Sequence, residues 1–262
     1  MSLLLVVRRA FLLGARDYTS IFTWRTWLTN WLVRVIAQVS FFALVGRLLG
    51  APGQTQFLLV GNAVMLAAMV GMWAVNMVSW ERSAGTLPLL TAGPTHPAVV
   101  LAARGSYLIL DGTVSASSAL LVTAALFRMP LPWSRLAAVV VLIAVVAASA
   151  YCFGILAGSL LLGFRSIQTI VTNVGLVTLM TLCGVNVPLS FYPEPLRWVS
   201  SVLPLTHGLT AVRLAVAGDL RDALVPAVQE VLVGAGWLTV FLLTVTTIIR
   251  RGRRLGTLDF AS

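Results

Sequence analysis

From Leu136 to Phe164 no side chain carries a charge, and five other stretches of the chain come close to that description. About 20 mostly apolar residues are enough for a helix to cross the hydrocarbon core of a bilayer. Lipid offers backbone amides no partner, so a crossing segment must be a helix or a strand of a closed barrel. Barrel strands alternate apolar and polar residues over about ten positions, whereas the runs here are continuous and longer. The expected fold class is therefore an all-α integral membrane protein. Composition agrees, because 59% of residues are hydrophobic and 10% are charged, against about 25% charged in a soluble domain. A soluble fold of this length still exposes about a quarter of its unfolded surface, and this chain has too few polar residues to cover that.

Six membrane-spanning helices are expected, over Trp27–Leu49, Phe57–Trp80, Val99–Phe127, Leu136–Phe164, Ile167–Val187 and Ala227–Ile249. The first contains Arg34, and the third contains Arg104 and Asp111. Turn chemistry separates them: Gly50-Ala51-Pro52-Gly53 after the first, Met129-Pro130-Leu131-Pro132 after the third. The fourth and fifth meet near Gly163-Phe164-Arg165 and read as a tight helical hairpin. No internal repeat stands out, and the chain reads as one domain over residues 1–262.

All 18 basic residues are arginine. A phosphate-binding P-loop needs a lysine after its glycine turn, so any ATP used with this chain must be bound by another. The net charge of +10 does not point to nucleic acid, because the arginines flank apolar runs instead of forming one basic face. Arg8, Arg9, Arg16, Arg25, Arg82, Arg104, Arg165 and the four arginines of the Arg250–Arg254 cluster fall on one side of the expected topology, eleven against the six on the other, Arg47, Arg128, Arg135, Arg197, Arg213 and Arg221. The positive-inside rule places that side, with both termini, in the cytoplasm. Residues 1–25 differ from a signal peptide, since Arg8 and Arg9 follow an apolar stretch instead of preceding it. They are expected to form an amphipathic interfacial helix, with Leu4, Val7, Phe11 and Tyr18 in lipid and Arg8, Arg9 and Arg16 at headgroups. Trp24, Trp27 and Trp31 then mark the interface.

Chemistry-bearing residues are sparse. Cys152 and Cys183 lie inside apolar runs, without disulfide or zinc spacing. No serine–histidine–acid set, carboxylate pair or metal-ligand cluster appears. His96 and His207 are expected on opposite membrane sides. Arg34 and Asp111 are costly inside a span and are expected to face protein. They either pair, or Arg34 reaches the inner headgroups while Asp111 bonds neighbouring hydroxyls. Asn62 and Asn76 in the second span, and Gln168, Thr169, Thr172 and Asn173 in the fifth, either line a polar pathway or bond helix to helix.

The loop over residues 81–97 is the most informative segment. It runs Glu81-Arg82-Ser83-Ala84-Gly85-Thr86-Leu87-Pro88-Leu89-Leu90. Thr86 suits a helix N-cap and Pro88 a first turn. Leu87, Leu89 and Leu90 then present apolar groups outside the lipid, as a partner surface or as a helix lying on the membrane. This stretch resembles the E-R-x-x-G-T-L-x-x-L segment of ABC-2 type ATP-binding cassette permeases through Glu81, Arg82, Gly85, Thr86, Leu87 and Leu90. Ser83 and Pro88 stand where that family commonly has acidic residues. A second resemblance covers residues 188–226, where Pro188, Phe191, Tyr192, Pro193, Pro195 and Pro204 precede Leu205-Thr206 and Arg213. The prolines forbid one long helix there, leaving a re-entrant segment or a surface loop.

The resemblance implies a type V exporter-like transmembrane domain. It implies that Glu81–Leu90 is a coupling helix gripped by a separate ATPase, present in two copies and holding ATP and magnesium. It also implies a second permease subunit, identical or related, near the first and fifth spans. Pro188, Phe191, Tyr192 and Pro204 would belong to an extracellular gate. The expected function is the permease half of an exporter in a bacterial cytoplasmic membrane. An ATP-independent channel or secondary transporter is the alternative, and it would call for repeat symmetry or more intramembrane acids.

Overall fold

The computed structural model of the protein describes residues 3–51, 53–83, 95–131, 133–161 and 167–255. All regular structure among them is helical. Helix α1 spans Leu3–Ile21. A break at Phe22-Thr23 leads to the first span, α2, over Trp24–Leu48. The Thr23 hydroxyl caps its start by accepting the Thr26 amide, and its first turns widen into a π-helix over Trp27–Leu32. The second span is α3, Gln54–Met72, followed after a break at Trp73 by α4, Ala74–Ser83. The third is α5, Pro97–Gly105, and α6, Tyr107–Leu126, broken at Ser106. Then come α7, Leu136–Leu160, and α8, Gln168–Leu182. The short helices α9, Glu194–Val202, and α10, Thr206–Ala217, precede α11, Leu220–Leu255.

Five of these helices are long and apolar enough to cross a bilayer. Expectation and structure part at the fifth span. Its helix stops at Leu182, and residues 183–187 continue as irregular backbone through Gly184, whose φ is 77°. The apolar character of Cys183 to Val187 hid that break. The last helix instead starts earlier than Ala227, at Leu220, and carries Pro226 inside it. The segment after α8 is not one surface loop, because α9 and α10 form a pair bent by 88°. The third span has 30 residues, so at about 1.5 Å per residue it exceeds a hydrocarbon core of about 30 Å. The hydroxyl of Thr246, late in α11, meets His96 Nε2 at the start of α5 at 3.2 Å. Helix α1 also packs along α5, so both terminal helices gather at one end, called here the terminal end.

Helix α3 is the central rod, buried along nearly its whole length from Leu58 to Met72. It packs against α2, α6 and α7. Without a hydrophobic force between helices in lipid, association depends on close van der Waals packing, which small residues permit. Here the contact is backbone to backbone. A Cβ on Gly71 would lie 2.8 Å from the Tyr151 amide nitrogen and 3.0 Å from the Ala147 carbonyl oxygen of α7. One on Gly154 would lie 2.8 Å from the Gly71 carbonyl oxygen, and one on Gly158 the same distance from that of Val75.

Gly71→Val is therefore expected to destabilise the fold by about 1–3 kcal/mol or more, since backbone cannot move aside as a side chain can. Gly236→Ala meets nothing within 4 Å and is expected to be neutral or slightly stabilising. Thermal unfolding of the two variants in detergent measures the contrast.

Candidate functional site

Two polar clusters hold the helices together. The first lies at the terminal end, where α1, α4 and α5 converge. Arg104 ends α5, and its Nη2 donates to Asp17 Oδ2 on α1 at 2.8 Å. Its Nε pairs with Glu81 Oε1 on α4, also at 2.8 Å. The planar guanidinium fork has donors for both carboxylates at once, which a lysine ammonium serves less well. Glu81 is 5% exposed, whereas the Asp17 side chain is 59% exposed. Gly14 makes this convergence possible, because a Cβ there would fall onto the Arg104 carbonyl oxygen.

One turn further along, α1 and α2 both reach α6. Tyr18 donates its hydroxyl to Asp111 Oδ2 at 3.0 Å, and Trp27 donates Nε1 to Asp111 Oδ1 at 2.9 Å. Trp31 Nε1 donates to Ser115 Oγ at 2.9 Å. Residues 27 and 31 on one helix thus match 111 and 115 on the other, each pair one turn apart. Burial, with the Asp111 carboxylate beside it, pushes the Tyr18 phenol well above its usual range, so it stays a donor. A cavity of 540 Å³ opens between these groups, lined among others by Asn76, Trp80, Glu81, Arg104 and Tyr107.

The second cluster lies at the opposite end, around the bent pair. Arg213 of α10 donates to the carbonyl oxygens of Gly184 at 2.8 Å and of Val185 and Phe57 at 3.2 Å. Its guanidinium also sits 3.7 Å from the Phe57 ring centroid. Glu230 of α11 is fully buried, and its two oxygens accept the amides of Leu205 and Gly208, each at 2.8 Å. Those amides open α10, where a helix has unsatisfied donors and a positive dipole end. The same carboxylate holds Leu205 at φ 88°, a region that non-glycine residues seldom enter.

Several expectations meet corrections. Arg34 and Asp111 do not pair. Asp111 is held by Tyr18 and Trp27, while the exposed Arg34 lies 5.8 Å from the Trp31 ring centroid. Tyr18 does not dip into lipid, because the face of α1 that bears Ala10, Gly14 and Tyr18 packs on protein; Leu4, Leu5, Leu12 and Leu13 are the exposed apolar groups. Trp27 and Trp31 likewise turn inward to their acceptors, and only Trp24 remains open, 69% exposed. Asn62 bonds helix to segment, giving Nδ2 to the Leu58 carbonyl and to Asn186 Oδ1, both at 2.9 Å. Asn76 faces the cavity, Thr172 is buried and Asn173 is exposed.

Within the expected gate, Phe191 is 77% exposed and Tyr192 donates to the Thr181 carbonyl. Pro188 precedes a single 3-10 turn, and Pro204 is buried, its carbonyl accepting from the Cys183 thiol. Arg82 lies in α4, but nothing is described of its side chain, and Gly85, Thr86, Leu87, Leu89 and Leu90 fall outside the described residues. Sequence reading singled out neither Asp17, Arg104, Glu230 nor Arg213 as a site residue. A signal existed for the first pair of helices: the four-residue spacings Trp27/Trp31 and Asp111/Ser115 match. Glu230 offered one too, as a lone acid within an apolar run.

Arg104→Met removes the cation from between two carboxylates, one of them buried, and is expected to destabilise by about 3–5 kcal/mol. Asp17→Asn, at an exposed partner, is expected to cost under about 1 kcal/mol. At the other cluster Glu230→Leu strands two buried amides and is expected to cost about 2–6 kcal/mol, with Glu230→Gln in between. Unfolding midpoints in detergent rank all four.

A family model described as ABC-2 type transporter matches residues 10–216, from α1 through α10. No curated protein matches the chain.

Proposed function

The chain belongs to the ABC-2 type transporter family, and from that premise we propose that it is the permease subunit of an ATP-binding cassette exporter. It lines the translocation path together with a second permease subunit and is driven by two copies of a separate ATPase. ATP and magnesium belong to that partner, since a chain without lysine has no P-loop. The terminal end faces the cytoplasm of a bacterial cell, where the Arg250–Arg254 cluster agrees with the positive-inside rule.

The observation that carries this reading is the ion-paired junction Asp17–Arg104–Glu81. Glu81 stands immediately before the Gly85–Leu90 segment that resembles a coupling helix. As a buried partner of Arg104, it is a tether within the permease and not a contact for the ATPase. A push on residues 85–90 enters α4 at Glu81 and passes through Arg104 to the third span and to α1. Oppositely charged groups at 2.8 Å carry such a push without slack.

Support for a second permease subunit comes from α2 and α8. Each exposes a polar residue, Arg34 on one and Asn173 on the other. Facing lipid tails would be costly for both, so these faces suit a partner subunit or the water-filled path between subunits. At the far end the bent pair, with Phe191 and Tyr192 before it in the chain, acts as the outer gate in this reading, which the 88° bend supports.

Co-purification with the ATPase tests the proposal. Leu87→Asp and Leu90→Asp are expected to weaken the association by about tenfold or more, as loss of a buried apolar anchor does. If both variants still carry the ATPase through purification and keep transport-coupled hydrolysis, the docking assignment fails.

A further inference from the structure

Asp111 does more than join helices. Each of its oxygens accepts one hydrogen bond, from Tyr18 and from Trp27, and a carboxylate oxygen has two lone pairs. Both donors are neutral. Among the described residues no basic side chain forms an ion pair with Asp111, and Arg104, the arginine nearest in sequence, is taken by Asp17 and Glu81. A carboxylate within a membrane-spanning helix with no countercharge is an unfinished arrangement.

Beside Asp111 lies a second cavity of 470 Å³. Its walls are aromatic: Phe11, Tyr18, Phe22, Trp24, Trp27 and Tyr107. Three of these rings touch one another, with Tyr18 centred 5.1 Å from Phe22 and 5.0 Å from Tyr107. Leu28 and Leu110, 40% and 59% exposed, edge the cavity on its open side. Arg25 already rests on this rim, 5.4 Å from the Trp24 ring centroid. Aromatic faces attract cations, most strongly when water is excluded. Aromatic walls, one carboxylate and an apolar entrance together fit a positively charged group carried on an apolar body.

We propose that the cavity between α1, α2 and α6 binds lipophilic organic cations, such as quaternary ammonium or phosphonium compounds, with Asp111 as the counter-ion. The cation enters from the membrane side, past Leu28 and Leu110. As a place where cargo is loaded, the site rests on the exporter reading; as a binding site it stands on its own geometry.

The test is equilibrium binding to the purified full chain in phosphatidylglycerol nanodiscs, with no ATPase present. The probes are tetraphenylphosphonium and tetraphenylborate, similar in size and opposite in charge. Saturable binding of the phosphonium and none of the borate is expected. Asp111→Asn keeps the side-chain shape and is expected to weaken phosphonium binding by about tenfold or more. Because that variant also touches two hydrogen bonds, Thr19 provides a second arm. It lines the same cavity from the exposed face of α1, and its hydroxyl bonds only the Arg16 carbonyl. Thr19→Arg is expected to abolish phosphonium binding, and Thr19→Glu to preserve or strengthen it.

Equal saturable binding of both probes, or phosphonium binding indifferent to the charge at positions 19 and 111, overturns the proposal. So does displacement of the phosphonium by phosphatidylethanolamine in the nanodisc, which assigns the cavity to a lipid headgroup. Failure here leaves the exporter reading in place, and failure of ATPase docking leaves the binding result in place.

Discussion

Inside a bilayer an unpaired backbone amide or carbonyl has no water to turn to, and this requirement shapes the half of the protein opposite the terminal end. The chain breaks its helices there at residues 183–187 and again between Val202 and Thr206. Each break leaves polar backbone groups outside a regular helix, and an ionic side chain gathers some of them. Arg213 gathers the carbonyls of Gly184, Val185 and Phe57. Glu230 gathers the amides of Leu205 and Gly208. Neither ion has the other as its partner; each serves as a substitute for backbone pairing. The start of the bent pair's second helix is tied to the last helix by Glu230, and the same helix is tied to residues 184–185 by Arg213.

The centre of the protein obeys a different constraint. Lipid tails are as apolar as leucine, so burying leucine brings the helices no hydrophobic gain over lipid. What holds α3 and α4 to α7 is contact at distances that only glycine permits, at Gly71, Gly154 and Gly158. A stiff rod results, clamped along its length and ending near Glu81 at the terminal end. Arg104 joins that end to the third span and to α1. A rigid centre and an ionic joint are the properties a lever needs, which is why the junction carries the functional reading more firmly than the exposed faces do.

Much of the fold was legible in the sequence. Five of six expected spans appear with ends shifted by a few residues, because hydropathy is a local, additive property. The fifth has an apolar helix that ends at Leu182, earlier than expected, because Cys183, Val185 and Val187 are as apolar in irregular backbone as in a helix. The candidate site was legible only in part. Asp111 stood out as an intramembrane acid, but its partners did not. Tyr18 was assigned to lipid from helical periodicity, which says that a face is apolar but not what covers it.

The sequence by itself determined that the chain crosses a membrane repeatedly, that all its basic residues are arginine, and that it has no P-loop lysine through which to bind ATP. Each follows from residue type and order along a line. Only the tertiary structure decided which charges meet. Asp17, Glu81 and Arg104 lie far apart in the chain, as do Leu205 and Glu230, and each finds its partner through the packing of separate helices. Pairing depends on where helices cross and how they are rotated, and one-dimensional spacing does not contain that information.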